Sequence, residues 1–166
     1  MLLLPLLVAC ASSPGPPSPT RELLPVPAGP LGELPARLAG LPSAEVNRGE
    51  GVARESRRFY RTDVTLTEAV VAHYRNEDGL ATLWVARTET ADSASSIVET
   101  FIADVRAGRT LYTLVETSPV DGVTVFVLEG QRRLQYLFSA GDRVILLDVF
   151  PTWAEDALQG PLMALP

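Results

Sequence analysis

The chain has 166 residues, of which 46% are hydrophobic and 20% charged, so it can form one ordinary globular domain with further segments attached. Its net charge of −6 argues against nucleic-acid binding by the chain as a whole. All fourteen basic residues are arginine, which excludes Schiff-base chemistry and a P-loop lysine. The lone Cys10 allows no intrachain disulfide, and the lone His73 argues against a histidine-rich metal site, so neither a metal nor a cofactor is expected.

The first nine residues, MLLLPLLVA, are an apolar run that is too short to span a bilayer, which needs about twenty residues. The run leads into Leu7-Val8-Ala9-Cys10, an aliphatic and a small residue before a cysteine. This motif resembles the lipobox of bacterial lipoproteins. The resemblance implies that residues 1–9 are a signal peptide, removed by signal peptidase II. It also implies that the Cys10 sulfur carries a diacylglyceryl group with fatty acyl chains such as palmitate.

The same resemblance places the protein in the bacterial cell envelope, anchored to a membrane by lipid with its domain on the extracytoplasmic side. Two or three acyl chains, at about 0.8 kcal/mol per buried methylene, would hold it there stably. The basic residues that precede the apolar run in this family are missing, which predicts a start codon upstream of Met1. An ordinary signal peptide with an incidental cysteine is the alternative.

Residues 10–43 are predicted to be the lipidated cysteine and a proline-rich tether. Nine prolines lie between residues 11 and 42. Because proline lacks an amide donor and has a fixed φ, neither a long helix nor a strand ladder is expected there. The expected form is a semi-extended spacer that holds the domain away from the membrane. A short helical turn is expected within residues 31–41, with leucines that can dock on the domain.

Residues 44–166 are predicted to form a single α+β domain around one strand–helix unit. The strand runs from Leu80 to Arg87, and a helix follows over residues 91–107. Thr90 or Asp92 is the expected N-cap, and Gly108 is the expected stop. The helix is recognised by apolar residues at three- and four-residue spacing, which are Ala94, Ile97, Val98, Phe101, Ile102 and Val105.

Closely spaced turn residues divide the rest of the domain into short strands, which favours hairpins. The sequence predicts a mostly antiparallel sheet of about five to six strands with two helices packed on one face. The second helix is expected to begin at Pro151 and to bury Trp153. Besides 80–87, the predicted strands are 64–74, 111–117, 123–128, 134–138 and 144–150.

The segment RESRRFYR at residues 54–61 is locally basic. Residues 10–63 hold seven arginines against six acids, whereas residues 64–166 hold seven arginines against fourteen acids. This asymmetry is compatible with contact between the basic segment and anionic lipid or another envelope polymer. The favoured interpretation is nevertheless a solvated first strand with Phe59 facing inward.

The sequence contains no catalytic motif, and no catalytic residue is assigned. The nucleophile elbow G-x-S-x-G is absent, and no serine has a distinctive context for use with the lone histidine. Asp148 interrupts an apolar strand, so it either has a raised pKa or points to solvent at a sheet end. The weak ligand-binding candidates are Trp84, Tyr136, His73 and Asp148.

The leading interpretation is a non-enzymatic binding or interaction module, tethered to a membrane, whose partner is an envelope protein or polymer. The alternative is a small-ligand carrier or an enzyme with a pocket between sheet and helices. A pocket lined by Trp84 or Tyr136, with His73 or Asp148 close by, would favour the alternative. A flat, exposed apolar patch on the sheet would favour the first interpretation.

Overall fold

A computed structural model of the protein describes residues 31, 34–38, 40–77, 79–120 and 122–150. These residues form one antiparallel sheet in the order β1-β2-β3-β4-β8-β7-β6-β5, with two helices. The helices are α1 (Glu50–Tyr60) and α2 (Ala91–Arg106). The strands are β1 (Arg37–Leu38), β2 (Leu41–Arg48), β3 (Glu68–Arg75), β4 (Leu80–Arg87), β5 (Thr113–Val120), β6 (Val123–Gly130), β7 (Arg133–Ala140) and β8 (Arg143–Val149).

Helix α2 follows β4 as predicted. Thr90 is its N-cap, and the Thr90 hydroxyl accepts a hydrogen bond from the Ser93 amide at 3.1 Å. All six residues of the predicted apolar stripe are buried. Gly108, at φ +67°, follows the last turn, and its amide donates to the Val105 carbonyl. The strand–helix unit is thus explained by the local sequence alone.

The predicted number of five to six strands was wrong, because the sheet has eight. The two additional strands, β1 and β2, lie in or next to the segment predicted to be a tether. β2 contains Pro42 and is exposed at every position after Leu41, so it shows no apolar alternation in the sequence. Its pairing with the buried strand β3, rather than its own composition, makes it a strand.

The strand expected at residues 54–61 was also wrong, because this segment belongs to helix α1. Val52, Ala53, Ser56 and Tyr60 form its buried side, with the helical period of three to four residues. Only a few of these residues are large and apolar, and charged residues between them obscure the period. The helix ends at Arg61, which takes the left-handed conformation at φ 53°.

Both helices pack on the same face of the sheet, here called the helical face. Phe101 of α2 stacks on Phe59 of α1 at a centroid distance of 5.2 Å, and Tyr60 meets Phe101 edge-on at 6.0 Å. Beneath them lie strand residues such as Val71 and Leu146. The helix expected from Pro151 onward lies outside the described residues.

The opposite face carries a second apolar cluster, which includes Tyr74, Leu83 and Phe138. Three leucines from the segment predicted to be a tether belong to it: Leu31, Leu38 and Leu41, each at most 3% exposed. The helical turn expected within residues 31–41 does not occur in the described part of that segment, where residues 37–38 are strand. Docking of the tether leucines on the domain agrees with the sequence-based expectation.

The backbone of Leu31 is held at both of its polar groups. Its amide donates to Glu68 Oε2 at 2.8 Å, and its carbonyl accepts from Arg48 Nη1 at 2.7 Å. Glu68 also lies 3.5 Å from Arg87 Nη1. We call this arrangement the Leu31 clamp. It fixes the point at which the preceding chain enters the domain.

Candidate functional site

A row of polar residues crosses the helical face of the sheet, just beyond the part covered by the helices. Each member is paired in register with the next on the neighbouring strand. On β3 and β8, members of the row lie two residues away from Val71 and Leu146, which pack beneath the helices. Because every second residue of a strand points to the same face, the row lies on the helical face as well. From β2 to β7 this polar row contains Glu45, His73, Thr82, Asp148 and Gln135.

Two side-chain interactions organise the polar row. His73 Nδ1 and Thr82 Oγ1 are 3.2 Å apart, within hydrogen-bond distance. Arg133 reaches across from β7, and its Nε donates to Asp148 Oδ1 at 2.5 Å. The Arg133 guanidinium also lies 4.5 Å from the ring centroid of Phe150. His73 is therefore bonded to a hydroxyl, and Asp148 is bonded to a cation.

Asp148 and Gln135 face each other in this row. Both are polar, yet Gln135 is buried and Asp148 is half-buried. Burial raises the pKa of Asp148 above its ordinary value of 3.8, and the hydrogen bond and positive charge of Arg133 oppose that rise. Gln135 is 5% exposed, and its Oε1 has no hydrogen-bond partner among the described residues. A buried carbonyl oxygen without a partner normally costs free energy.

An open groove of about 560 Å³ adjoins the polar row where the first turns of α1 pass over β2, β3 and β4. Trp84 and His73 lie on its floor, one step apart on neighbouring strands. Trp84 is half-buried and runs nearly parallel to Phe59, with an interplanar angle of 13° and centroids 6.5 Å apart. The remaining lining residues are Asn47, Arg48, Gly51, Val52, Glu55 and Val71.

Three of the four candidate residues therefore lie on one face of the sheet. Trp84 and His73 line the groove, and Asp148 is next to Thr82 in the polar row. Tyr136 lies on the opposite face, 4% exposed within the second apolar cluster, so it does not share a face with the other three candidates. The strand period of two shows the reason, because Tyr136 immediately follows Gln135 and must point the other way.

Sequence reasoning missed Gln135, Asn47 and Glu55. Gln135 had a usable signal, since it is the polar position of a short strand and pairs with Asp148 once the β7–β8 hairpin is placed. Asn47 and Glu55 could not be found without recognising β2 and α1. Asn47, Glu55 and His73 supply amide, carboxylate and imidazole groups in the groove that contains the Trp84 ring. This set suits ligand binding by hydrogen bonds and ring contact.

The described residues contain no group of three or more histidine, cysteine, aspartate or glutamate side chains placed to hold a metal ion. Within the same ranges, no helix is both long enough and apolar enough to cross a bilayer. The candidate site is a groove with polar groups at one side.

No family model matches the chain, and no curated protein matches it. Among solved structures, the chain is similar to the extracellular domain of PknH from Mycobacterium tuberculosis, with a TM-score of 0.46 and 14% sequence identity. The match covers 74% of this chain and 78% of that chain.

Proposed function

We propose that the protein is a lipid-anchored envelope protein of bacteria whose domain binds a small ligand, the alternative that a groove lined by Trp84 and His73 favours. The observation that supports this proposal is the groove in which Trp84 and His73 meet beside the polar row. The groove is open and has an aromatic ring on its floor, which is the form of many small-molecule sites. The ligand is thus a small molecule rather than a flat protein surface.

The residues around the groove favour a ligand that both donates hydrogen bonds and presents an apolar side. Glu55 and Asn47 provide acceptor oxygens in the groove, beside the imidazole of His73 and the ring of Trp84. The large exposed apolar side chains of the described residues lie on separate segments: Val46, Leu111, Val115 and Phe150. A pocket is therefore better supported than a docking surface of flat apolar character.

The anchor at Cys10 is the second part of the proposal, and it depends on the lipobox resemblance of Leu7-Val8-Ala9-Cys10. The domain would then sit on the extracytoplasmic side, within reach of ligands in the envelope. If residues 10–30 link the anchor to the Leu31 clamp, their reach is at most about 65 Å as polyproline II and about 25 Å as a coil.

Tryptophan fluorescence tests the groove directly. The chain has two tryptophans, so Trp153→Phe leaves Trp84 as the sole reporter. Compounds that raise the melting temperature of the full chain in a small-molecule screen would be titrated into this variant. A groove ligand should change Trp84 emission and lose at least tenfold in affinity in His73→Ala, but not in the control Arg132→Gln. Binding that leaves Trp84 emission unchanged and survives His73→Ala would place the site elsewhere.

Metabolic labelling tests the anchor independently. A clickable fatty-acid analogue should label the full chain expressed in a bacterial host, and Cys10→Ser should abolish the label because it removes the sulfur nucleophile. Equal labelling of the two chains would refute the lipid anchor and leave the groove proposal unaffected.

A further inference from the structure

Helix α1 carries three arginines away from its most buried side, and Arg61 follows directly after the helix. Arg54, Arg57, Arg58 and Arg61 follow one another at spacings of three, one and three residues. At about 100° per residue, the three helical positions fall within about 100° of arc, with Arg54 and Arg58 exposed and Arg57 half-buried at the edge. They line a shallow depression together with Thr62 and Asp63. We call this surface the arginine face.

The side chains of three of these arginines, Arg54, Arg57 and Arg58, make no hydrogen bond or ion pair with any residue in the described ranges. Arg61 is engaged, since its Nη1 donates to the Arg109 carbonyl at 2.9 Å and lies 3.7 Å from Asp104. Asp104 is in turn bound by Arg109 at 2.5 Å. Within this part of the molecule, Arg54, Arg57 and Arg58 are therefore cations without an ion pair, although Asp63 lines the same depression.

The helix dipole explains only part of this arrangement. Arg57 and Arg58 lie in the last turn, where each cation gains about 0.3–1 kcal/mol from the carbonyl end of the helix. Arg54 lies in the middle of α1, where that gain is small. A chain with net charge −6 that concentrates unpaired arginines on one helix face has a surface suited to an anionic partner.

We propose that the arginine face docks on the anionic phospholipid headgroups of the membrane to which the protein is tethered. The choice of partner rests on the proposed lipid anchor, which keeps the domain within about 65 Å of a bilayer surface. Guanidinium groups form paired hydrogen bonds with phosphate, and juxtamembrane basic residues each contribute to binding an anionic leaflet. Tethering makes such weak contacts effective, because the local headgroup concentration is high.

Docking in this way would fix the orientation of the groove. Gly51, Val52 and Glu55 on the groove rim belong to the same helix as the arginine face. With α1 lying on the headgroups, the groove beside this helix would lie in the half of the domain nearer the membrane. A ligand held there would be one found near the membrane surface.

Vesicle binding by the full chain carrying Cys10→Ser tests the proposal without any acyl chain. The vesicles contain about one third phosphatidylglycerol in phosphatidylcholine, with pure phosphatidylcholine as the reference. The test variant adds Arg54→Gln, Arg57→Gln and Arg58→Gln. The control variant instead adds Arg75→Gln, Arg106→Gln and Arg132→Gln, three exposed arginines on other elements. Both variants therefore carry the same net charge, and circular-dichroism melts verify that both remain folded.

The parent is expected to bind anionic vesicles but not the reference vesicles beyond the background from its apolar first nine residues. The test variant should bind about 100-fold more weakly, and the control less than about threefold more weakly. Binding of the parent should also disappear near 1 M salt, where the Debye length is about 3 Å. Equal losses in both variants, or a parent that binds polyphosphate but not the vesicles, would overturn the proposal. Because no lipid is attached, these results are independent of whether Cys10 is acylated.

Discussion

Asp148 is a residue of the polar row whose pKa is changed by its surroundings. It faces Gln135 and Thr82 on the adjoining strands, and Arg133 is its cationic partner. Burial nevertheless outweighs the effect of Arg133 on the pKa, so the protonated carboxyl is favoured relative to an exposed aspartate. Because its pKa is raised, Asp148 takes up a proton at a higher pH than an exposed aspartate does. It lies opposite the buried Gln135 Oε1, which has no partner among the described residues, so the polar row is sensitive to acid.

We expect Asp148→Asn to change the pH dependence of stability. Because the pKa of Asp148 is raised in the folded state, the associated stabilisation is complete below pH 3.8 and is lost as the pH rises through the raised value. The free energy of unfolding of the parent should therefore fall relative to that of Asp148→Asn as the pH increases. Urea unfolding of both chains from about pH 3 to pH 7 measures this difference.

The control for this experiment is Glu77→Gln, which changes an exposed carboxylate in the β3–β4 turn. The ion pair with Arg133 forms only with the ionised carboxyl, so its effect is already part of the net pKa of Asp148, and the slope of the difference against pH is the diagnostic quantity. A difference between parent and Asp148→Asn that stays flat, or that changes in the opposite direction, would contradict the prediction.

Among the elements, α2 is the one whose packing the sequence defines best. Phe101 sits in the middle of its buried stripe and is 1% exposed. Its ring contacts Phe59, Tyr60 and Tyr112, so it joins α1 and the loop before β5 to α2. Its loss would therefore affect three segments at once.

Phe101→Ala should lower the free energy of unfolding by about 3–5 kcal/mol, through lost transfer energy and the cavity left among the aromatic rings. Since domains of this size are stable by about 5–15 kcal/mol, the variant should be largely unfolded at 37 °C. Glu99→Ala, on the exposed side of α2, should cost less than about 0.5 kcal/mol. Denaturant melts of the two variants give the comparison, and similar small losses for both would mean that the stripe is not a core.

The elements that sequence analysis predicted are those with a local signal. The α2 stripe and the β6–β7 and β7–β8 hairpins have regular spacing and turn residues such as Gly141. α1 was missed because charged residues separate its few buried ones, and β2 because it is exposed along most of its length. The groove is lined by these two missed elements together with β3 and β4. The sequence therefore yielded Trp84 and His73 as candidates but not their shared site.

On the scale of the whole molecule, the folded part of the chain begins before residue 44. Leu31, Leu38 and Leu41 are in the core opposite the helices, and the Leu31 clamp joins the first of them to β2 and β3. A fragment from residue 44 would lack β1 and the first residues of β2. The range 44–166 that the sequence predicts for the domain therefore leaves out strand residues and core leucines that the structure contains.

We expect a fragment of residues 31–166 to melt like the full chain, and one of residues 44–166 to be strongly destabilised. Burial of a leucine side chain contributes about 1.5–3 kcal/mol, so removing three should cost about 5 kcal/mol or more. Thermal and urea melts of the fragments and the full chain test this. Leu31→Ala in the longer fragment should fall between them, and a cooperative, undiminished transition of 44–166 would show that the three leucines contribute little.

The Leu31 clamp also has a mechanical consequence. A pull on an anchored amino terminus reaches Leu31 before it reaches β1, whose pairing with β2 involves only two residues. The load is then taken by two charge-assisted hydrogen bonds, to Glu68 on β3 and Arg48 on β2, at the level of the sheet. The short edge strand is shielded from peeling, so tension in the tether would be carried by the strands next to the groove.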